Sequence, residues 1–179
     1  SNYDVIVVGS GPAGASTALF LARKNYNVLV LERKKFPRDK ICGDAVGGKS
    51  IKILRELGLL ERYEENEHFD INGVIFSSPK GTILKIENEK NKPAGYIVRR
   101  YIGDYHLFSE VKKTCNVIEE ANVVDVIKED NTIVGVKANI KGKIEEIKAN
   151  VVVGADGAGS IIASKVNSEK IDDEHHVIA

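Results

Sequence analysis

Apolar runs separated by polar and glycine-bearing stretches divide the start of the chain into three predicted elements. Tyr3–Val8 is a predicted strand, and its apolar stretch Val5–Val8 is of the kind that is buried on both faces of a parallel sheet. Pro12–Lys24 has the composition of a helix, with proline tolerated in its first turn. Asn27–Glu32 is a second strand, rich in valine and leucine. This pattern predicts a βαβ unit of about 30 residues.

The central part of the chain follows a less regular pattern. Lys34–Gly48 is a basic, glycine-bearing stretch that predicts a loop, and Lys49–Tyr63 is helical with a break at Gly58. Ile71–Ser78 and Thr82–Glu87 are predicted strands joined by a tight turn. We therefore expect an insertion at about residues 65–98 that belongs to a second, smaller β layer.

The last part of the chain predicts one helix and a series of strands. The helix is Tyr101–Lys113, and a short strand follows at Val117–Glu119. Val123–Lys128, Thr132–Asn139 and Ile144–Val153 predict an antiparallel β-meander. The pattern as a whole indicates an α/β fold, with a Rossmann-type parallel sheet, a β-meander and a small additional β layer.

Composition narrows the possible functions. The 26 basic and 26 acidic residues cancel, so bulk charge gives no sign of nucleic-acid binding, and no apolar run is long enough to span a bilayer. Cys42 and Cys115 make no disulfide framework, which favours a cytoplasmic location. We expect no metal site, because His106 and the pair His175-His176 lack partners at ligand spacing.

The segment after the first predicted strand has the chemistry of a phosphate-binding turn. It fits G-x-G-x-x-G with Gly9, Gly11 and Gly14, and Pro12 and Ala13 begin the following helix. Glycine allows the sharp turn, the approach of the backbone to a pyrophosphate, and close packing of helix on strand. The unpaired N–H groups of the helix N-terminus then face the phosphates. A tight turn without a ligand is the alternative interpretation.

Glu32 ends the second predicted strand, where a carboxylate accepts hydrogen bonds from the ribose hydroxyls of an adenine dinucleotide. Its charge disfavours a 2′-phosphate and hence NADP, although Arg33 beside it weakens that argument. The glycine turn and Glu32 bind only the ADP half of the cofactor. They leave the choice between NAD and FAD open.

Three later segments of the chain resemble the sequence motifs of one enzyme family. They are Phe36–Ala45, Tyr96–Arg100 followed by Asp104 and Leu107, and Val152–Ser160. Together with the glycine turn, they are similar to the geranylgeranyl reductase family of FAD-dependent oxidoreductases, especially its archaeal branch that saturates the isoprenoid chains of membrane lipids. The Lys-x-Cys-Gly-Asp-Ala segment is the most specific part, and the Ala-Asp-Gly segment is shared with other flavin enzymes.

The resemblance implies a glutathione-reductase-like FAD-binding domain over residues 1–179, with FAD as the cofactor. Family members continue into a second Gly-Asp motif and a substrate-binding domain, so we expect this chain to be an N-terminal fragment. The implied activity is hydride transfer from reduced flavin to double bonds of a geranylgeranyl chain. The implied partners are a prenyl lipid and an external electron donor, with a location peripheral to the membrane.

By the same resemblance, Cys42, Gly43 and Ala45 line the flavin. A thiol with a tuned pKa can supply the proton that alkene reduction needs, and we expect Arg38 and Lys40 to lower the Cys42 pKa. The alternative is that Cys42 is only a small residue packed against the flavin ring.

The remaining site residues also follow from the resemblance. Arg100 is expected to bind the pyrophosphate, Val123 to offer its backbone to the adenine, and Asp156 and Gly157 to allow close backbone approach to the cofactor. The family pattern has Phe before the aspartate, whereas this chain has Gly103, so we expect a looser helix start. The alternative for Arg100 is a surface arginine at a helix start, and the alternative for Asp156 and Gly157 is a plain turn without a ligand.

Two other functions remain open at this point. One is a different flavin enzyme of the same fold, such as a monooxygenase or a halogenase. The other is a dinucleotide-binding module for electron transfer or sensing, without a substrate of its own.

Overall fold

The computed structural model describes residues 3–89 and 93–166. The chain divides into two compact units, the first formed by Ser1–Lys35 with Val111–Ala179 and the second by Phe36–Glu110. The elements in chain order are β1 (Tyr3–Val8), α1 (Pro12–Arg23), β2 (Val28–Glu32), β3 (Ala45–Gly47), α2 (Lys49–Glu56), α3 (Leu60–Glu64), β4 (Phe69–Ile71), β5 (Gly73–Ser77), β6 (Ile83–Glu87), β7 (Gly95–Ile97), α4 (Arg100–Thr114), β8 (Asn116–Glu119), β9 (Ala121–Glu129), β10 (Thr132–Ile140), β11 (Lys143–Gly154) and α5 (Ile161–Val166).

A six-stranded sheet in the order β8-β2-β1-β11-β10-β9 forms the centre of the first unit. β1 lies between β2 and β11 and is parallel to both, with Val5 opposite Val28 and Val151. Ile6 and Val7 are fully buried. This confirms the predicted adjacent parallel strands, and burial on both faces explains why the stretch Val5–Val8 of β1 is continuously apolar.

The long strand β11 joins the meander to the parallel sheet. Its first half pairs antiparallel with β10, where Gly135 lies opposite Lys148. Its second half pairs parallel with β1, where Tyr3 lies opposite Ala149. The meander predicted from the sequence is therefore confirmed, and its last strand is also a strand of the parallel core.

The second unit carries two small antiparallel sheets, β3-β7-β4 and β5-β6. The prediction of one strand over Ile71–Ser78 was wrong, because Ile71 pairs with Gly95 in the first sheet and Gly73 pairs with Glu87 in the second. Lys34–Gly48 is also not wholly a loop, since it contains β3. β3, β4 and β7 have three residues each, too few for a pattern of alternation to show.

The predicted helices are present with small shifts at their ends. The break at Gly58 is confirmed, since this glycine has φ of +65° between α2 and α3. Such a left-handed conformation costs glycine little. Among residues 3–89 and 93–166, no helix is both long enough and apolar enough to cross a membrane.

Candidate functional site

The glycine turn of the first unit is packed backbone against backbone. Gly9 has φ of +93°, and a Cβ placed on it would lie 2.5 Å from the Ala155 carbonyl oxygen. A Cβ on Gly14 would lie 1.9 Å from the Gly9 carbonyl oxygen. The Gly9 N–H donates to the Leu31 carbonyl at 2.8 Å. Side chains at Gly9 and Gly14 would displace the backbone, so both positions require glycine.

The N-terminus of α1 has the features of an anion site. Gly11 is the N-cap residue and supplies no side-chain cap, while Pro12 and Ala13 are exposed. The Ser10 hydroxyl in the same turn is buried and has no hydrogen-bond partner within the described residues. Uncapped N–H groups at a helix start attract phosphate. The turn therefore fits a dinucleotide pyrophosphate.

Glu32 has a second role that the sequence did not reveal. Its carboxylate is 5% exposed and accepts hydrogen bonds from the N–H groups of Ser10 and Lys34, both at 2.8 Å. Glu32 therefore ties the glycine turn to the end of β2. A carboxylate has about four acceptor positions, so the predicted bonds to a ribose remain compatible with these two. The ribose contact itself stays a prediction.

We expect Glu32→Ala to have two separate effects. Loss of the acceptor for the buried Ser10 N–H should lower the free energy of unfolding of the apoprotein by about 1–3 kcal/mol. Loss of the ribose contact should weaken FAD binding by about 1.5–3 kcal/mol. Urea titration of the apoprotein and fluorescence titration with FAD measure the two effects. Glu146→Ala, which removes an exposed carboxylate paired with Lys137, is the control, and unchanged FAD affinity in Glu32→Ala would contradict the ribose assignment.

The Asp156-Gly157 turn follows β11 and starts α5. The Asp156 carboxylate accepts from the Ile161 N–H at 2.7 Å and from the Ser160 hydroxyl at 2.5 Å. Gly157 has φ of +85°. Asp156 therefore stabilises the start of α5, as an N-terminal capping residue does. Its contact with a cofactor stays a prediction.

Arg33 and Val123, two other predicted residues of the first unit, have contrasting surroundings. Arg33 is exposed just after β2. Val123 is buried in β9 and lies opposite Ala138. The proposed adenine contact of Val123 involves its backbone, and nothing in its side chain distinguishes it from a core residue.

A buried carboxylate shared by two arginines lies in the second unit. Asp104 is 2% exposed. Arg100 donates to it from Nε and Nη2, both at 2.7 Å, and Arg38 donates from Nη1 at 2.7 Å. The hydrogen bonds to Asp104 raise the pKa of Arg100. The sequence pattern aligned Arg100 with Asp104, but the participation of Arg38 came only from the structure.

Cys42 is an exposed thiol close to this cluster. Its pKa is lowered, first by the Asp44 N–H and next by a hydrogen bond with the Arg100 guanidinium. The expectation that Arg38 and Lys40 lower this pKa was wrong, because Arg38 is paired with Asp104 and the cation at the thiol is Arg100. Adjacency in sequence did not predict which cation reaches the sulfur.

The loop that carries Cys42 is fastened at both ends. Phe36 stacks on Phe108 of α4 with ring centroids 4.0 Å apart. At the other end the Asp44 carbonyl accepts from the Val98 N–H at 2.9 Å. Residues 39–43 between these anchors are exposed, including Gly43, around which a Cβ would meet no atom within 4 Å. Ala45, also exposed, begins β3.

Gly103 departs from the family pattern, and Tyr63 compensates for it. A Cβ on Gly103 would lie 3.1 Å from the Tyr63 ring, and the Tyr63 hydroxyl donates to the Gly103 carbonyl at 2.7 Å. Burial raises the pKa of Tyr63. The expectation of a looser start to α4 was wrong, since the helix begins at Arg100 and continues through Gly103.

The sequence analysis predicts no metal site, and the structure describes only some of the histidines on which this prediction rests. No group of three metal-ligating side chains lies within residues 3–89 and 93–166. His106 is half-buried, and burial lowers its pKa. His175 and His176 lie outside the described residues.

Comparison with known proteins gives the family. The family model described as "FAD binding domain" matches residues 2–178. The chain is 34% identical to Conditioned medium factor receptor 1 of Dictyostelium discoideum, over 93% of this chain and 35% of that protein. It is 32% identical to digeranylgeranylglycerophospholipid reductase 1 of Methanococcoides burtonii, over 88% of this chain and 38% of the reductase.

A solved structure with a similar fold is that of the flavin-dependent brominase Bmp2. The TM-score is 0.79 at 29% identity, over 88% of this chain and 39% of the brominase. The chain thus spans less than two fifths of the length of these three proteins. The match over nearly all of this chain, together with a turn that fits a pyrophosphate, shows that the chain belongs to the FAD-binding domain family and that its cofactor is FAD.

Proposed function

We propose that this chain is the FAD-binding part of a flavoenzyme that saturates carbon–carbon double bonds in the geranylgeranyl chain of a lipid. The observation that carries the proposal is Cys42, an exposed thiol whose pKa is lowered by the Asp44 N–H and the Arg100 guanidinium, in the segment most specific to geranylgeranyl reductases. Similarity to the Methanococcoides burtonii reductase supports the same substrate class.

Alkene reduction adds a hydride to one carbon and a proton to the other. FAD, when bound and reduced by an external electron donor, supplies the hydride. We assign the proton to the Cys42 thiol. The Asp44 N–H and the Arg100 guanidinium stabilise the thiolate that remains, and solvent returns the proton because Cys42 is exposed.

The other residues have binding roles in this proposal. The turn at Gly9–Gly14 holds the pyrophosphate with uncapped N–H groups, and Glu32 binds the adenosine ribose. Arg100 adds positive charge for the cofactor phosphates, and the backbones of Val123 and Gly157 approach it. We place the enzyme peripherally on the membrane, so a high-salt wash or mild detergent should release it. A need for full solubilisation would contradict that location.

The test of the reductase is product analysis with the full-length enzyme. The enzyme is supplied with FAD, a chemical reductant and a geranylgeranyl lipid with oxygen excluded, and mass spectrometry follows the addition of two hydrogen atoms for each saturated bond. We expect saturated product without oxygen. An unchanged lipid under these conditions, with flavin that does become reduced, would overturn the proposal.

Similarity to the brominase supports a second candidate, a flavin-dependent halogenase or monooxygenase. Such an enzyme requires oxygen, and a halogenase also requires halide. A product formed only with oxygen present, in parallel reactions with and without bromide, would favour this candidate. If no product forms in either reaction, an electron-transfer or sensing module is favoured.

A further inference from the structure

One face of the β3-β7-β4 sheet carries a line of apolar side chains across all three strands. Ile97 of β7 lies opposite Ala45 of β3 on one side and opposite Phe69 of β4 on the other. Residues directly opposite each other in antiparallel strands present their side chains on the same face. All three residues are exposed, Ile97 to 42% and Phe69 to 67%. We call Ala45, Ile97 and Phe69 together the apolar row.

The next positions on the same face have little side-chain bulk. Gly95 lies opposite both Gly47 and Ile71, so two of these three residues have no side chain. A Cβ on Gly95 would lie 2.4 Å from the Val46 carbonyl oxygen, so this position requires glycine. The side chains of the apolar row therefore stand beside a low strip of the sheet, where a thin, extended ligand has room to lie.

The opposite face of the sheet is the one that packs against the rest of the second unit. Tyr96 is 8% exposed, and its hydroxyl donates to Glu64 of α3 at 2.5 Å. The His68 ring meets the Tyr96 ring edge-on, with centroids 5.2 Å apart. An antiparallel sheet commonly packs its apolar face inside and exposes its polar face. Here an apolar row is on the exposed face, and exposed apolar patches mark binding surfaces.

The apolar row starts at the loop that carries Cys42. Ala45 follows Asp44 directly and begins β3. The Val98 N–H donates to the Asp44 carbonyl at 2.9 Å, which holds the end of β7 beside the end of this loop. Neighbouring strands lie about 4.7–4.9 Å apart, so the apolar row extends for about 10 Å from the loop to Phe69. A ligand on the row therefore has one end at the segment of the proposed proton donor.

The chemistry of the apolar row decides which ligand fits it. None of its three side chains carries a charge or a hydrogen-bonding group. The nearby charges of Glu67 and Arg99, two positions from Phe69 and Ile97 along the chain, are already paired with each other at 2.7 Å. A peptide or a sugar would find no polar side chain to bind on the row. An isoprenoid chain is apolar along its whole length and loses nothing there.

We propose that the apolar row binds the isoprenoid chain of the lipid and leads it to the loop that carries Cys42. This inference rests on the proposed function, because it states where the substrate of that function lies. Phe69 and Ile97 are binding residues that bury apolar surface against the chain, and they take no part in proton transfer.

The experiment measures binding without turnover, on the full-length enzyme with oxidised FAD. The probe is geranylgeranyl diphosphate, and the change in flavin absorbance on titration gives its Kd. Inorganic pyrophosphate, which has the head group without the chain, should give no such change. We expect Phe69→Ser to raise the Kd by about ten- to a hundredfold, as loss of burial of one large apolar side chain implies.

Matched variants separate the apolar row from exposed apolar surface in general. Phe76→Ser removes a phenylalanine of similar exposure, 56%, from β5 in the other small sheet, and should leave the Kd unchanged. Ile97→Thr keeps the β-branched shape that suits a strand and should raise the Kd in the same direction as Phe69→Ser. Phe69→Leu keeps an apolar side chain and should retain most of the affinity.

Three results would overturn the proposal. The first is an unchanged Kd in both Phe69→Ser and Ile97→Thr. The second is a lower melting temperature in both variants with an unchanged Kd, which would mean that the rest of the full-length chain covers the row. The third is loss of bound FAD from both variants, which would mean that the row holds the flavin and not the lipid.

The outcomes also separate this proposal from the reductase proposal. If the two variants weaken binding but the wild-type enzyme reduces no double bond, the apolar row stands and the reductase does not. If the wild-type enzyme reduces the lipid and the variants bind it equally well, the reductase stands and the apolar row does not. A wild-type enzyme that does not bind the probe would overturn both.

Discussion

Replacing Cys42 by serine is expected to slow reduction of the alkene by about 10²–10⁴-fold, the range typical of a lost general acid. FAD should remain bound, and the electron donor should still reduce it, because Cys42 lies in the exposed part of its loop and not in the glycine turn. The Cys42→Ala variant should be at least as slow. Stopped-flow oxidation of the reduced full-length enzyme by the lipid isolates this step.

The direction in which the rate of alkene reduction changes with pH provides a second test of this role of Cys42. The protonated thiol is the donor, so the wild-type rate should fall as pH rises through the Cys42 pKa, which the Asp44 N–H and the Arg100 guanidinium lower from its ordinary value. Cys42→Ser should lack that fall, since a serine hydroxyl does not titrate there. Cys115→Ser is the control, because Cys115 is half-buried and burial raises its pKa. Near wild-type rates in both Cys42 variants would mean that water supplies the proton.

Gly14→Ala is expected to lose most of its affinity for FAD. The added Cβ would lie 1.9 Å from the Gly9 carbonyl oxygen, and backbone must move to relieve the overlap. Overpacking of this kind costs about 1–3 kcal/mol of stability. The N–H groups of α1 move with the helix, and loss of one charge-assisted hydrogen bond weakens binding by about 10–10²-fold.

The control for this variant is Gly159→Ala. Gly159 is exposed, and a Cβ there would meet no atom within 4 Å. Fluorescence titration with FAD and thermal melting of the apoprotein should show little change in Gly159→Ala. If Gly14→Ala bound FAD as tightly as the wild type, the backbone packing of the turn would not be what positions the cofactor.

The sequence predicted those parts of the fold in which neighbours along the chain make the structure. β1 and α1 were identified with at most one residue of error, because a strand buried on both faces is continuously apolar and a glycine turn has a fixed spacing. The division of Ile71–Ser78 between two sheets was not predicted. A strand partner is chosen by residues far away, such as Gly95 for Ile71 and Glu87 for Gly73.

The candidate site shows the same contrast. The sequence by itself identified the glycine turn, the carboxylate of Glu32 and the thiol of Cys42 as candidates, since each belongs to a short motif whose residues are adjacent or regularly spaced. The tertiary structure alone decided which groups these residues meet. Glu32 holds Ser10, 22 positions away, and Arg38 holds Asp104, 66 positions away. Hydrogen bonds and ion pairs act over about 3–4 Å in space, whatever the separation along the chain. The cation that lowers the Cys42 pKa could therefore be identified only from the tertiary structure.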